Sequence, residues 1–80
     1  MHFVYILQSI DHPNQYYSGV TDDVEKRLKD HNSGKSKHTA KFKPRQIVSY
    51  HFFKNENTAL AFEKYLKTGS GRAFANKRFR

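Results

Sequence analysis

Apolar and aromatic residues fall in short blocks separated by polar turn formers. Phe3 to Leu7 is an unbroken run of aromatic, β-branched and aliphatic side chains, and Tyr16 to Thr21 is a second. Between them Asp11-His12-Pro13-Asn14 is rich in turn formers, so the two runs predict a β-hairpin with a longer loop. The first run is apolar at both alternating positions, which suits a strand covered on both faces. Gln46 to Phe53 reads as a third strand.

Helical spacing accounts for the intervening and following segments. Asp22, followed three residues later by Glu25, resembles a capping box, and Asn32-Ser33-Gly34 is a stop signal, so a helix of about three turns is expected between them. A second helix is expected from about Thr58, as N-cap, to Lys67, closed by Thr68-Gly69-Ser70-Gly71. A short third helix from Arg72 to about Lys77 is weakly signalled. The order β-β-α-β-α, or β-β-α-β-α-α with the short third helix, predicts an α+β fold on a small three-stranded antiparallel sheet flanked by two to three helices. With 80 residues and no repeat or linker, one domain over residues 1–80 is expected.

Composition narrows the classes. Cys is absent, which removes disulfides and thiolate metal sites. No run approaches the roughly 20 apolar residues that span a bilayer, and the first residues read directly into a strand. A soluble, cytoplasmic protein is the expectation. The formal net charge of +8 is uneven: twelve Lys or Arg follow Gly34, against Glu56 and Glu63 as the acids there. A polycationic second half points to a polyanion, with nucleic acid ahead of a membrane surface because no strongly amphipathic basic helix is evident.

Several residues carry candidate chemistry. In the first helix Arg27 and His31 fall on or beside the Val24/Leu28 stripe, so both point inward. An inward arginine either pairs with a carboxylate or receives an anionic ligand. On the second helix Glu63 borders the packed side marked by Ala59, Phe62 and Leu66. A carboxylate withdrawn from water needs a compensating cation, either Arg27 or a metal ion. Tyr5 and Tyr17 lie on adjacent strands and meet if the register puts them on one face. Gly19 within a strand marks a bulge or a close approach. Lys35, Lys37, Lys41, Lys43 and Arg45 form a basic loop suited to backbone phosphates, as do Lys77 and Arg78 near the end. The five His show no metal-ligand spacing, and no glycine-rich phosphate loop precedes a helix.

Phe3-Val4-Tyr5, a turn-rich connection, then Tyr17-Ser18-Gly19 resemble the paired tripeptides of the GIY-YIG endonuclease superfamily, with Phe3, Val4 and Ser18 departing from its consensus. Val24 to Gly34, Glu63-Lys64-Tyr65-Leu66-Lys67 and Gly71-Arg72 are similar to its compact stand-alone branch and to the N-terminal nuclease domain of the excision-repair subunit UvrC. The resemblance covers nearly the whole chain. It implies hydrolysis of phosphodiester bonds, DNA more readily than RNA, with one Mg²⁺ or Mn²⁺ held by Glu63. Tyr5, Tyr17, Arg27 and His31 would be the catalytic set, with Gly19 and Asn76 in support. Which tyrosine handles the attacking water stays open at this level. The rivals are a binding module of the same fold without useful turnover, and a basic RNA-associated structural domain in which Glu63 is satisfied by Arg27.

Overall fold

The computed structural model describes residues 2–35 and 40–79. Its elements are β1 (His2–Ser9), β2 (Tyr16–Thr21), α1 (Val24–Asn32), a 3-10 turn (Ala40–Phe42), β3 (Arg45–Phe53), α2 (Glu56–Leu66) and α3 (Gly69–Arg78). The strands form one antiparallel sheet in the order β2-β1-β3. This is the α+β arrangement expected from the sequence, with the third helix present.

The central position of β1 follows from its composition, since Val4, Tyr5, Ile6 and Leu7 are all buried. Alternation divides them between the two faces. Val4 and Ile6 pack with Ala59 and Leu66 of α2 and Ala75 of α3, and this apolar contact is the main core. Tyr5 points to the other face, where His31 of α1 meets it. The sheet therefore separates α1 from the α2–α3 pair. No helix among the described residues is long and apolar enough to cross a membrane.

Helix boundaries depart from the expectation in three places, each for a local reason. The N-cap of α1 is Asp23 rather than Asp22, and its side chain accepts the Lys26 N–H at 3.0 Å. α2 begins at Glu56, because Asn55 accepts the Thr58 N–H at 3.2 Å; Thr58, expected as the cap, is the residue being capped. Thr68-Gly69-Ser70-Gly71 does more than close α2, since it opens α3. Thr68 Oγ1 donates to the Tyr65 carbonyl at 2.7 Å and accepts the Gly71 N–H at 3.0 Å. A Cβ at Gly71 would overlap the Tyr65 carbonyl oxygen, so this tight α2–α3 corner requires glycine. The end of α1 lies where its stop signal placed it, with Gly34 at φ 84°.

Candidate active site

The hairpin register sets Tyr5 opposite Gly19 and Tyr17 opposite Leu7, so the two tyrosines are diagonal neighbours on one face. Their ring centroids are 6.3 Å apart. Gly19 is the close approach its position suggested: a Cβ there would stand 2.5 Å from Tyr5 Oη. The absent side chain makes room for the phenol. From above, α1 brings His31, fully buried, with Nε2 3.0 Å from Tyr5 Oη and its ring 5.0 Å from that of Tyr17. In the Nδ1–H tautomer His31 accepts the Tyr5 hydroxyl proton at Nε2.

Charged groups close the cluster. Burial raises the Tyr5 pKa above its ordinary value, and the nearby Arg27 guanidinium opposes that rise while Tyr17 and Glu63 reinforce it. Arg27 makes no ion pair with a carboxylate among the described residues, so the structural bridge from Arg27 to Glu63 is not formed. Glu63 turns instead to Lys67, whose Nζ lies 3.0 Å from Oε2 and 5.9 Å from the centre of the Tyr17 ring. That ammonium is close but off the hydrogen-bonding direction, because Glu63 Oε2 is buried without a hydrogen bond. The Glu63 side chain is 16% exposed and the Lys67 side chain 54%, so the carboxylate is fixed by the fold while its counter-ion can swing away. A buried carboxylate oxygen that has an exposed ammonium beside it but no hydrogen bond fits a hard cation that completes its shell with water and phosphate oxygens. No group of three or more His, Asp or Glu suited to a metal occurs among the described residues, so any ion here would rest on this one carboxylate.

The basic segment does not behave as one loop. Arg45 was expected among its exposed phosphate contacts, but it starts β3 and is only 4% exposed. Asn32 fixes it there, its Oδ1 accepting the Arg45 N–H at 2.6 Å and its Nδ2 donating to the Arg45 carbonyl at 3.0 Å. The guanidinium carbon comes 6.0 Å from the Tyr17 ring centre and 5.9 Å from that of Phe42. The reason is packing: the Arg45 guanidinium lies against the Tyr17 and Phe42 rings near where α1 ends and β3 begins. Lys41 and Lys43 are exposed, and Lys35 pairs with Asp30 at 3.5 Å. Lys37 lies outside the described residues. Asn76, Lys77 and Arg78 occupy the exposed last turns of α3. Sequence reasoning overlooked Lys67, although Glu63 and Lys67 have the i,i+4 spacing that favours such a pair. It also assigned no role to Arg72, which lines a hollow of about 230 Å³ with Tyr16, Tyr17, Ser18, Leu66 and Lys67. The somewhat larger hollow of about 280 Å³ beside Asp22, Asp23 and Glu25 includes none of the clustered residues.

His31 gives the cluster a pH signature. Burial, then Arg27 and Arg45, lower its pKa below 6.5, so the folded protein holds it neutral. The unfolded chain binds that proton first, hence stability is present above about pH 6.5 and declines as pH falls through this range. Burial lowers the His51 pKa as well, which adds a slope of the same sign. Thermal unfolding from pH 8 to pH 5 should show the decline, and His31→Gln should retain a shallower one. An equally steep profile in the variant would assign the effect to other groups.

A family model described as the GIY-YIG catalytic domain matches residues 1–78. The chain is similar to a UPF0213 protein of Clostridium perfringens, 40% identical over 68 residues that cover 84% of this chain and 71% of that one. It is likewise 42% identical over 67 residues to a UPF0213 protein of Lactococcus lactis, covering 82% and 66% of the two chains. The matched stretch thus spans about two thirds of these relatives' length, and neither designation names an activity. Its fold is also similar to the solution NMR structure of a UPF0213 protein from Bacillus halodurans, with a TM-score of 0.57 and 35% identity over 95% of this chain and 80% of that one.

Proposed function

Since this chain belongs to the GIY-YIG catalytic-domain family, we propose that it is an endonuclease that hydrolyses phosphodiester bonds with one Mg²⁺ or Mn²⁺ held at Glu63. The observation that carries the reading is the charge arrangement. Arg27 has no carboxylate partner among the described residues, yet it stands beside Tyr5 and Tyr17, with Glu63 also close enough to act on Tyr5. A guanidinium fixed in that way and left without an acid is suited to a phosphate.

The residues divide the work by their exposure. Arg27 binds the scissile phosphate and stabilises the charge that grows on its oxygens. Tyr17, half-buried at the edge of the hollow it shares with Lys67, orients the attacking water. Tyr5 is 1% exposed and its pKa is raised, so it suits a positioning role better than that of a base at neutral pH. His31 and Gly19 hold it in place from two sides. The metal ion, when bound at Glu63, would supply neutralising charge to the phosphate and acidify a coordinated water. Lys35, Lys41 and Lys43, with Lys77 and Arg78, provide sequence-independent backbone contacts. DNA is favoured over RNA by the resemblance to the nuclease domain of the excision-repair subunit.

The test is incubation of the purified protein with branched, nicked, single-stranded and duplex DNA, and with RNA, with and without Mn²⁺. Metal-dependent cutting of at least one DNA substrate is expected. Tight binding without cutting of any substrate would establish a binding module instead.

A further inference from the structure

β2 is an edge strand, and beyond its start the surface carries a groove of which the catalytic reading uses only the inner end, at Tyr17 and Lys67. One part is the hollow of about 230 Å³ lined by Tyr16, Tyr17, Ser18, Leu66, Lys67 and Arg72. A second, of about 250 Å³, is lined by Asn14, Gln15, Tyr16 and Arg72. Tyr16 and Arg72 line both, so the two hollows are adjacent. The inner end is shared with the candidate active site through Tyr17 and Lys67, and the outer end opens past the hairpin loop. No carboxylate of the described residues lines either part.

Arg72 stands out within this groove. It is exposed and makes no ion pair with a carboxylate among the described residues. It also lies just after the first turn of α3, which contains no acid. Helix N-termini favour negative side chains because their unpaired N–H groups carry partial positive charge. Arg72 adds its positive charge near the end of α3 that the helix already makes positive, with no acid in that first turn to offset it. Arg72, Lys67 and the N-terminal end of α3 make one positive wall, which Tyr16 and Tyr17 face with aromatic and hydroxyl surface.

We propose that this groove binds the nucleic-acid strand next to the scissile phosphate, with Arg72 holding the neighbouring phosphodiester. The proposal rests on the nuclease reading and assigns a path to its substrate: the strand runs from Arg27 past Tyr17 and along the start of β2. Because Arg72 touches a phosphate that does not react, its contribution is the same in the ground state and the transition state. It therefore lowers KM without changing kcat.

The experiment measures binding of a fluorescent 12-nucleotide DNA in EDTA, where no cutting occurs, and then steady-state cleavage in Mn²⁺. Wild type is compared with Arg72→Ala, Arg72→Lys and Lys54→Ala, the last removing an exposed charge remote from the groove. Arg72→Ala should weaken binding about tenfold and reduce the salt slope by about one. Its KM should rise with little change in kcat, Arg72→Lys should recover part of the affinity, and Lys54→Ala should stay within about twofold of wild type. Equal losses in Arg72→Ala and Lys54→Ala would reduce the effect to net charge and overturn the groove. Loss of kcat at unchanged affinity would overturn it too. Wild-type protein that binds no oligonucleotide would instead defeat the nuclease reading, and the groove with it.

Discussion

Glu63→Gln should eliminate metal-dependent cleavage while leaving the metal-free protein nearly as stable as wild type. The expected fall in turnover is at least about 10²–10³-fold, the scale on which removal of a single transition-state electrostatic partner is felt. Stability should barely respond, because the partner of Glu63 is Lys67, a half-exposed cation one helical turn away, and not the more enclosed Arg27. Because Lys67 is more than half exposed, solvent screens this pair and its contribution to stability is small. Gln keeps the shape and nearly the helix propensity of Glu. It also replaces a buried charged oxygen that has no hydrogen bond with a neutral group that costs less to desolvate. Thermal unfolding with and without Mg²⁺ separates the contributions. Wild type should gain stability from the ion by mass action, and the variant should not. A Glu63→Gln protein that is markedly destabilised but still cleaves would show that the carboxylate serves the fold.

The sequence carried the sheet and the inner face of α1 more faithfully than it carried the helix starts. Tyr16–Thr21 has the boundaries its pattern suggested, and the double-sided apolar character of Phe3 to Leu7 indicated the central strand. These signals are strong because alternation and burial act over many residues at once. Capping is decided by one side chain, and the chain offers competing choices: Asp22 beside Asp23, and Asn55 three residues before Thr58. Gly69-Ser70-Gly71 has poor helix propensity and reads as loop, yet it becomes helical because Thr68 caps it and Gly71 packs against the Tyr65 carbonyl. Tertiary contact outweighs propensity there. Arg27 and His31 were legible for the site by their helical spacing. The burial of Arg45 was not, because it depends on Asn32 gripping the backbone of a strand thirteen residues away. A basic run looks alike in sequence whether its last member is solvated or folded under an aromatic ring.

Arg27→Lys is expected to leave nucleic-acid affinity within a few-fold of wild type and to lower turnover by about 10²–10³-fold. The substitution keeps a positive charge, which is most of what distant phosphates sense. It removes the planar fork that can donate two parallel hydrogen bonds to non-bridging phosphate oxygens, and lysine's single flexible ammonium cannot hold that geometry. Arg27 is only half-buried and has no carboxylate partner among the described residues, so what the fold draws from its fork is chiefly the hydrogen bond with the Tyr5 hydroxyl. Lysine loses the guanidinium hydrogen bond to Tyr5 but keeps the weaker coulombic effect, since a cation on the same helix still opposes the rise in the Tyr5 pKa. The unfolding midpoint should therefore move little, while single-turnover cleavage at saturating protein slows by the full factor. Wild-type turnover in Arg27→Lys would remove Arg27 from the transition state. A large loss of stability would mean that the guanidinium braces Tyr5 and α1, and the candidate phosphate site would then have to be sought at Arg45 and Lys67, the other cations against Tyr17.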